Sequence, residues 1–154
     1  MIVYLLALFI GVVAGLRAMA APAIVSWAAY LGWLDLSGSW LGFLANGWVR
    51  WILTLLALAE LVTDQLPSTP SRTVPVQFGA RIAMGALSGA GVGAAGGAMM
   101  GGLLAGIAGA VIGTIAGRTI RARLASAFGS DRPAAFIEDA VAIGGALLIG
   151  VALR

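Results

Sequence analysis

Two pairs of acidic residues lie inside apolar stretches of the sequence, Glu60 with Asp64 and Glu138 with Asp139. The chain has six acidic residues in all, so these pairs hold most of its negative charge. An ionised carboxylate in hydrocarbon costs about 2.5–3.5 kcal/mol even on the scale with the smallest penalties. Buried acids of this kind hold a proton, bind a cation or meet an arginine. The four acids therefore predict either an ion or substrate site or a set of structural ion pairs.

The spacing within each pair decides which way its carboxylates face. Glu60 and Asp64 are four residues apart, so on a helix they share one face, with Cβ atoms about 6 Å apart. Glu138 and Asp139 are neighbours and point about 100° apart around a helix. Arg17 is the only basic residue deep in the first apolar segment. We expect it to neutralise Glu60 or Glu138, or to meet an anionic substrate.

A proline-rich loop is predicted over residues 65–76, directly after the first acidic pair. Prolines with serine and threonine over this stretch are typical of a loop and not of a helix. The loop contains Arg72, and Arg81 follows it closely, so either residue is expected to neutralise Asp64. The loop or gate candidates are Pro67, Pro70, Arg72 and Thr73.

The composition excludes several kinds of site. Cysteine and histidine are both absent from the sequence, which excludes disulfides, thiolate metal sites, serine–histidine triads and histidine proton relays. A hard cation would have to bind carboxylates, carbonyls, hydroxyls or water. The sequence shows no nucleophile with a partner base and no cofactor motif, so we expect neither enzyme activity nor a cofactor.

The balance of apolar and charged residues indicates a membrane protein. Of the 154 residues, 61% are hydrophobic and 10% are charged, whereas a soluble domain carries about 25% charged residues. We therefore predict a single integral membrane domain over residues 1–154, with the lipid bilayer as its partner. All nine basic residues are arginine. Because they are scattered over loops, we interpret them as a topology signal and predict no nucleic-acid binding.

The predicted fold class is an all-α membrane protein with about five transmembrane helices. As one helix, the first apolar stretch over residues 2–34 would be about 50 Å long, too long for a hydrocarbon core of about 30 Å. Pro22 offers a kink or break, after which residues 23–34 form a tilted, re-entrant or interfacial piece. The predicted spans cover residues 2–20, 48–66, 77–97, 102–118 and 134–153.

The distribution of arginine predicts how these spans are oriented. The connection over residues 35–47 contains no arginine, whereas the loops over residues 65–80 and 118–133 both contain arginine. Five spans put those two loops on the same side, which is the cytoplasmic side by the positive-inside rule. The N-terminus is then cytoplasmic and the C-terminus outside. Residues 118–133 are also expected to form a short surface helix.

Small residues recur every four positions through the third and fourth predicted spans, in what we call the glycine ladder. This spacing lets helix backbones approach closely in lipid. We expect the ladder to pack helices within one chain or between protomers of a homo-oligomer, or alternatively to line a pore or gate. It consists of Gly85, Gly89, Gly93, Gly97, Gly101, Ala105, Gly109, Gly113 and Gly117.

A short internal similarity relates the first and fourth predicted spans. Residues 10–15 (IGVVAG) resemble residues 112–117 (IGTIAG), and arginine follows each segment. With five spans, these two would run in opposite directions. The similarity therefore predicts an inverted repeat, which is common in secondary transporters.

Three segments of the chain carry a family resemblance: Gly15-Leu-Arg17-Ala, the segment over residues 60–73, and the Glu138-Asp139 pair. Together they resemble a bacterial membrane-protein family that is catalogued as domain of unknown function 4126. The resemblance covers most of the chain, and the segment over residues 60–73 is its most specific part. It implies a small polytopic membrane protein and no settled activity.

Two functions fit these observations. The first is a small ion-coupled transporter or channel in which Glu60, Asp64, Glu138 and Asp139 carry a proton or a small cation and Arg17 balances their charge. The second is a non-transporting scaffold or assembly protein in which the same acids form structural ion pairs with arginine. Acids that line a water-filled cavity would favour transport, and dry contacts between acids and arginine would favour the scaffold.

Overall fold

The computed structural model describes residues 1–64 and 74–154, and this part of the chain is all-α, as predicted. Helices make up 84% of it, and these residues form no strand. The elements in chain order are α1 (Ile2–Leu16), α2 (Ala20–Tyr30), a 3-10 helix (Trp40–Ala45), α3 (Gly47–Thr63), α4 (Pro75–Ala95), α5 (Met99–Phe128) and α6 (Asp131–Ala152).

The first apolar stretch breaks earlier than the sequence predicts. α1 ends at Leu16, and Arg17 has an extended backbone with φ −140° and ψ 108°. α2 then begins at Ala20, so Pro22 lies in its first turn, where a missing N–H costs little. The break therefore falls at residues 17–19 and not at the proline.

α5 is longer than the predicted fourth span. It continues as one helix from Met99 to Phe128, and the chain turns at Gly129, whose φ is +67°. A positive φ is accessible to glycine at little cost, which makes it a common helix terminator. The prediction of a separate surface helix over residues 118–133 is therefore wrong, because α5 itself extends through most of that range.

Close backbone contact joins α1, α4 and α5 into the most tightly packed part of the molecule. A methyl group added to Gly85 of α4 would lie 2.8 Å from the carbonyl oxygen of Gly106 on α5. One added to Gly93 would lie 2.8 Å from Cα of Gly102. At these separations only glycine fits, because the obstructing atoms belong to backbone.

The glycine ladder divides between two helix contacts within the chain. Gly85, Gly89 and Gly93 face Gly102 and Gly106 on α5. Gly109 and Gly113 instead face the backbone of α1, at Leu8 and Val12, and Gly101 faces the ring of Tyr4. Gly97 lies in the turn between α4 and α5 with φ +69°, and Gly117 is buried in α5.

The contacts between α1 and α5 show that these two helices run in the same direction. Tyr4 lies beside Gly101, and further along both helices Gly15 lies beside Gly113. The two similar segments, residues 10–15 and 112–117, are therefore on parallel neighbouring helices. The prediction that they form an inverted repeat is wrong, because that relation requires opposite directions.

Both chain ends lie at the same end of the helix bundle. α1 starts beside the turn between α4 and α5, since a methyl group on Gly96 would lie 2.8 Å from Val3. α6 returns alongside α2, and Gly150 near its end packs against Ile24. We call this end the amino-terminal end, and the opposite end, which holds residues 17–19 and 129–130, the charged end. Five crossings would instead place the two termini at opposite ends of the bundle.

α3 stands at the edge of the bundle. It packs against α2 and the 3-10 helix, and none of its residues is buried. The polar links that attach α3 to the bundle are therefore prominent among its contacts.

Two described helices, Met99–Phe128 and Asp131–Ala152, are long and apolar enough to cross a membrane, and Ile2–Leu16 is a shorter apolar helix.

Candidate functional site

The break between α1 and α2 leaves backbone N–H groups without helical partners at the start of α2. Glu60 of α3 accepts two of them, since its Oε1 and Oε2 lie 2.8 Å from the backbone nitrogens of Ala18 and Met19, respectively. A carboxylate at a helix N-terminus also complements the helix dipole. Glu60 therefore caps α2 from a position about forty residues away in the chain.

The carbonyl groups at the end of α1 are capped in the complementary way. Arg81 of α4 is buried and donates from Nη1 to the carbonyl oxygens of Gly15, at 2.8 Å, and Leu16, at 2.6 Å. Thr114 of α5 donates to the oxygen of Gly15 at 3.2 Å. Cations are favoured at helix C-termini. In addition, Nη2 of Arg81 lies 3.8 Å from Oε1 of Glu60. The two caps are therefore adjacent.

Arg17, at the break itself, joins α3 to α6. Its side chain is only 1% exposed, and its Nη1 and Nη2 donate to Asp64 of α3 and Asp139 of α6, respectively. Breaking a buried pair of this kind is costly, because the remaining charge stays out of water. One guanidinium thus holds an acid from each predicted pair.

Arg121 extends the cluster along α5. Its Nη1 lies 3.4 Å from Oε2 of Glu138 and 3.8 Å from Oδ2 of Asp64. Its Nε donates to Oδ1 of Asp131 at 2.9 Å, and its Nη2 donates to Oδ2 of the same residue at 2.6 Å. Asp131 is exposed, so this last pair lies at the rim. We call Arg17, Arg81, Arg121 and the four acids the charged cluster.

The structure brings together the four predicted acids and Arg17, but with other partners than the sequence predicts. Arg17 binds Asp64 and Asp139, not Glu60 or Glu138. Arg81 lies beside Glu60 and caps α1. The loop or gate candidates Pro67, Pro70, Arg72 and Thr73 lie outside the described residues.

Sequence analysis missed Arg121 and Thr114 as members of the site. Arg121 was assigned to a loop, because the fourth span was predicted to end at residue 118. A signal was present in the spacing, since Arg121 follows Gly117 by four residues and so continues the period of the glycine ladder. A helix that continues past residue 118 places Arg121 on the ladder face.

The cluster is not a preformed metal centre. Among residues 1–64 and 74–154, no group of three or more acidic, cysteine or histidine side chains is arranged to hold a metal ion. Its acids bind arginine or backbone N–H groups instead. Such a cluster can exchange a proton or an ion-pair partner.

Two cavities adjoin the charged cluster. One of about 230 Å³ lies between α2, α3 and α6, and Arg17 is the only cluster residue in its lining. The other, of about 130 Å³, is bordered by Arg121 and Glu138 together with apolar side chains. Parts of the cluster thus face open volume.

The family model described as Domain of unknown function (DUF4126) matches residues 4–152. The chain belongs to this family. No curated protein and no solved structure matches it. Since the family carries no assigned activity, the function has to be argued from the helix break, its caps and the neighbouring cavities.

Proposed function

We propose that the protein is an integral protein of the bacterial inner membrane. Large apolar side chains point outward around the bundle, and Phe9, Leu55, Ile112 and Leu148 are each more than half exposed. Extended apolar surface of this kind is rare on soluble monomers. It suits a bundle that is surrounded by lipid.

The proposed topology differs from five simple spans. α3, α4, α5 and α6 each cross the membrane. α1 and α2, with 15 and 11 residues, are about 22 and 16 Å long and so are shorter than α3, which has 17 residues. α1 and α2 therefore form a re-entrant pair that turns back at the charged cluster. The loops and helix ends at the charged end carry most of the arginines, which makes that end cytoplasmic and puts both termini outside.

We propose that the protein is a small transporter or channel that conducts protons. The observation that carries this proposal is that Arg17 is shared between Asp64 on α3 and Asp139 on α6, beside a cavity. α3 has no buried residue, so its polar links to Arg17 and to the start of α2 hold it in place. A proton on Asp64 would weaken its link to Arg17 and leave Arg17 with Asp139, while Glu60 keeps α3 bound to the start of α2. A proton is favoured over a metal ion because the described acids form no metal cage.

Proton flux into vesicles tests the proposal. Purified protein is reconstituted with an internal pH-sensitive dye, and a proton gradient is applied. We expect Asp64→Asn and Asp139→Asn to lose most of the flux, because asparagine cannot exchange a proton. Asp131→Asn is the matched control, because Asp131 also binds an arginine but lies at the exposed rim. Wild-type flux in both cluster variants, or no protein-dependent flux in wild type, would contradict transport.

A non-transporting scaffold is the second proposal. It is supported by the partners of the acids, since the described contacts pair each one with arginine or with backbone N–H groups. It predicts no proton flux in wild type and a strong energetic coupling between Arg17 and Asp139. Removing either partner of a buried pair costs about 3–5 kcal/mol. The double variant Arg17→Met, Asp139→Asn should then cost clearly less than the sum of the single changes.

Homo-oligomerisation also stays a proposal, but the glycine ladder is an unsuitable surface for it. The ladder glycines of α4 and α5 that face other helices do so within one chain. The outward face of α3, which includes the exposed residues Trp51, Ile52 and Leu55, is a more suitable surface. A homo-oligomer would then place α3 helices from neighbouring protomers in contact.

A further inference from the structure

One outward side of α5 changes from apolar to polar near its last third. Ile112 and Ile115 lie on this side, and both are more than half exposed. Thr119, Arg123 and Ser126 continue the same side at the three- and four-residue spacing of a helix, and they are exposed as well. In the proposed membrane placement this side of α5 therefore leaves the hydrocarbon between Ile115 and Thr119.

The length of α5 places the boundary at the same level. The helix has 30 residues and is about 45 Å long, whereas about 20 residues are enough to cross a hydrocarbon core of about 30 Å. Counted from Met99, the crossing ends near Arg118. Residues 119–128 of α5 and 131–137 of α6 then extend beyond it, and we call them, with the turn between them, the hairpin tip. In the proposed topology the hairpin tip lies in the head-group layer on the cytoplasmic side.

The hairpin tip carries positive charge that no acid of the chain balances. Arg123 and Arg132 are exposed, and neither forms an ion pair with a described residue. All six acids belong to residues 1–64 and 74–154, so the rest of the sequence supplies no further counter-charge. Asp131, the one acid in the tip that is exposed, already binds Arg121. An anion from outside the chain would therefore complement the hairpin tip.

Exposed aromatic side chains accompany these arginines. Phe136 follows Arg132 by four residues on α6, so the two side chains share one side of the helix. Phe136 is 64% exposed, and Phe128 at the end of α5 is 53% exposed. A guanidinium binds phosphate oxygens well, and an apolar ring beside it suits the boundary between head groups and acyl chains. The pair of Arg132 and Phe136 thus fits a phospholipid surface better than it fits water.

We infer that the hairpin tip binds anionic phospholipid head groups. Arg123 and Arg132 bind the phosphates, and Phe136 lies among the upper parts of the acyl chains. Anionic lipids are favoured over zwitterionic ones because the arginines then meet net negative charge. Such binding depends on the membrane placement proposed above, but it does not depend on proton conduction.

Native mass spectrometry of the full-length protein in detergent micelles tests this binding. The protein is titrated with phosphatidylglycerol or with phosphatidylcholine of the same acyl chains, and bound lipids are counted. We expect phosphatidylglycerol to bind about tenfold more tightly or better. Arg123→Gln and Arg132→Gln should each weaken its binding about fivefold, because a basic residue near an anionic surface contributes about 1 kcal/mol. Arg154→Gln is the matched control, since Arg154 is an exposed arginine at the amino-terminal end.

The other arms identify what the hairpin tip binds. Equal binding of the two lipids, or an Arg154→Gln effect as large as that of Arg132→Gln, would overturn the site. Competition by glycerol phosphate as strong as that by phosphatidylglycerol would overturn the lipid in favour of a small phosphate. Stronger competition by polyglutamate would overturn it in favour of an acidic protein.

The membrane placement is checked separately. Protein that alkaline carbonate extracts from membranes would contradict the placement and the lipid site together. Protein that stays in the membrane but does not discriminate between the lipids would contradict the lipid site alone. Absence of proton flux with selective lipid binding would contradict proton conduction and support the lipid site.

Discussion

Glu60→Ala is expected to lower the free energy of unfolding by about 3–6 kcal/mol. The carboxylate accepts hydrogen bonds from the backbone nitrogens of Ala18 and Met19, both at 2.8 Å. A hydrogen bond to a charged group contributes about 1.5–3 kcal/mol, and alanine removes both. The two N–H groups would then lie at a helix start within the bundle without this acceptor.

Glu60→Gln separates hydrogen bonding from burial of the side chain. Glutamine has nearly the same shape but only one acceptor oxygen, because its amide nitrogen donates. It can therefore satisfy one of the two N–H groups, and we expect a loss of about half that of alanine, roughly 1.5–3 kcal/mol.

The assay is equilibrium unfolding in mixed micelles, followed by helical circular dichroism. Asp131→Asn is the control, because Asp131 is an acid in an arginine pair whose side chain is 61% exposed. Exposed pairs contribute about 1 kcal/mol or less. Equal losses for Glu60→Ala and Glu60→Gln would refute the two-bond cap. A loss below about 1 kcal/mol for alanine would show that Glu60 does not hold the helix break.

Two further predictions concern packing and topology. Gly89→Ala should destabilise the protein by about 1–3 kcal/mol, because a methyl group there would lie 2.7 Å from Cα of Gly106. Gly144→Ala, in open space, should instead stabilise α6 by up to about 1 kcal/mol. The same unfolding titration checks both variants, and equal effects would contradict the close packing. Because the chain has no cysteine, a single cysteine can be placed at either chain end, and a membrane-impermeant maleimide should label both from outside intact cells. Labelling of only one end would favour an odd number of crossings.

Several elements of the fold are readable from the sequence because they depend on local patterns. Apolar segments bounded by glycine and proline predict α3, α4 and α6 close to their observed bounds. The glycine period predicts close packing, and the acids and Arg17 are recognisable because charge is rare in this chain. These features follow from residue type and spacing, which act within a few turns of one helix.

Other elements depend on contacts between residues far apart in the chain. The break at residues 17–19 is held by Glu60 and Arg81, which are more than forty and more than sixty residues away. No local signal marks that position, so Pro22 was the more plausible site of a break. The direction of α2 in turn helps to place both chain ends at the same end of the bundle.

The sequence by itself determined the helical class, most helix positions and five members of the charged cluster, namely the four acids and Arg17. Only the tertiary structure decided which charges pair, since Arg17 could reach several acids and the helix faces that meet select Asp64 and Asp139. It also decided that α1 and α5 run parallel. The physical reason is that partner choice depends on helix direction and rotation, which are properties of the packed bundle and not of any single segment.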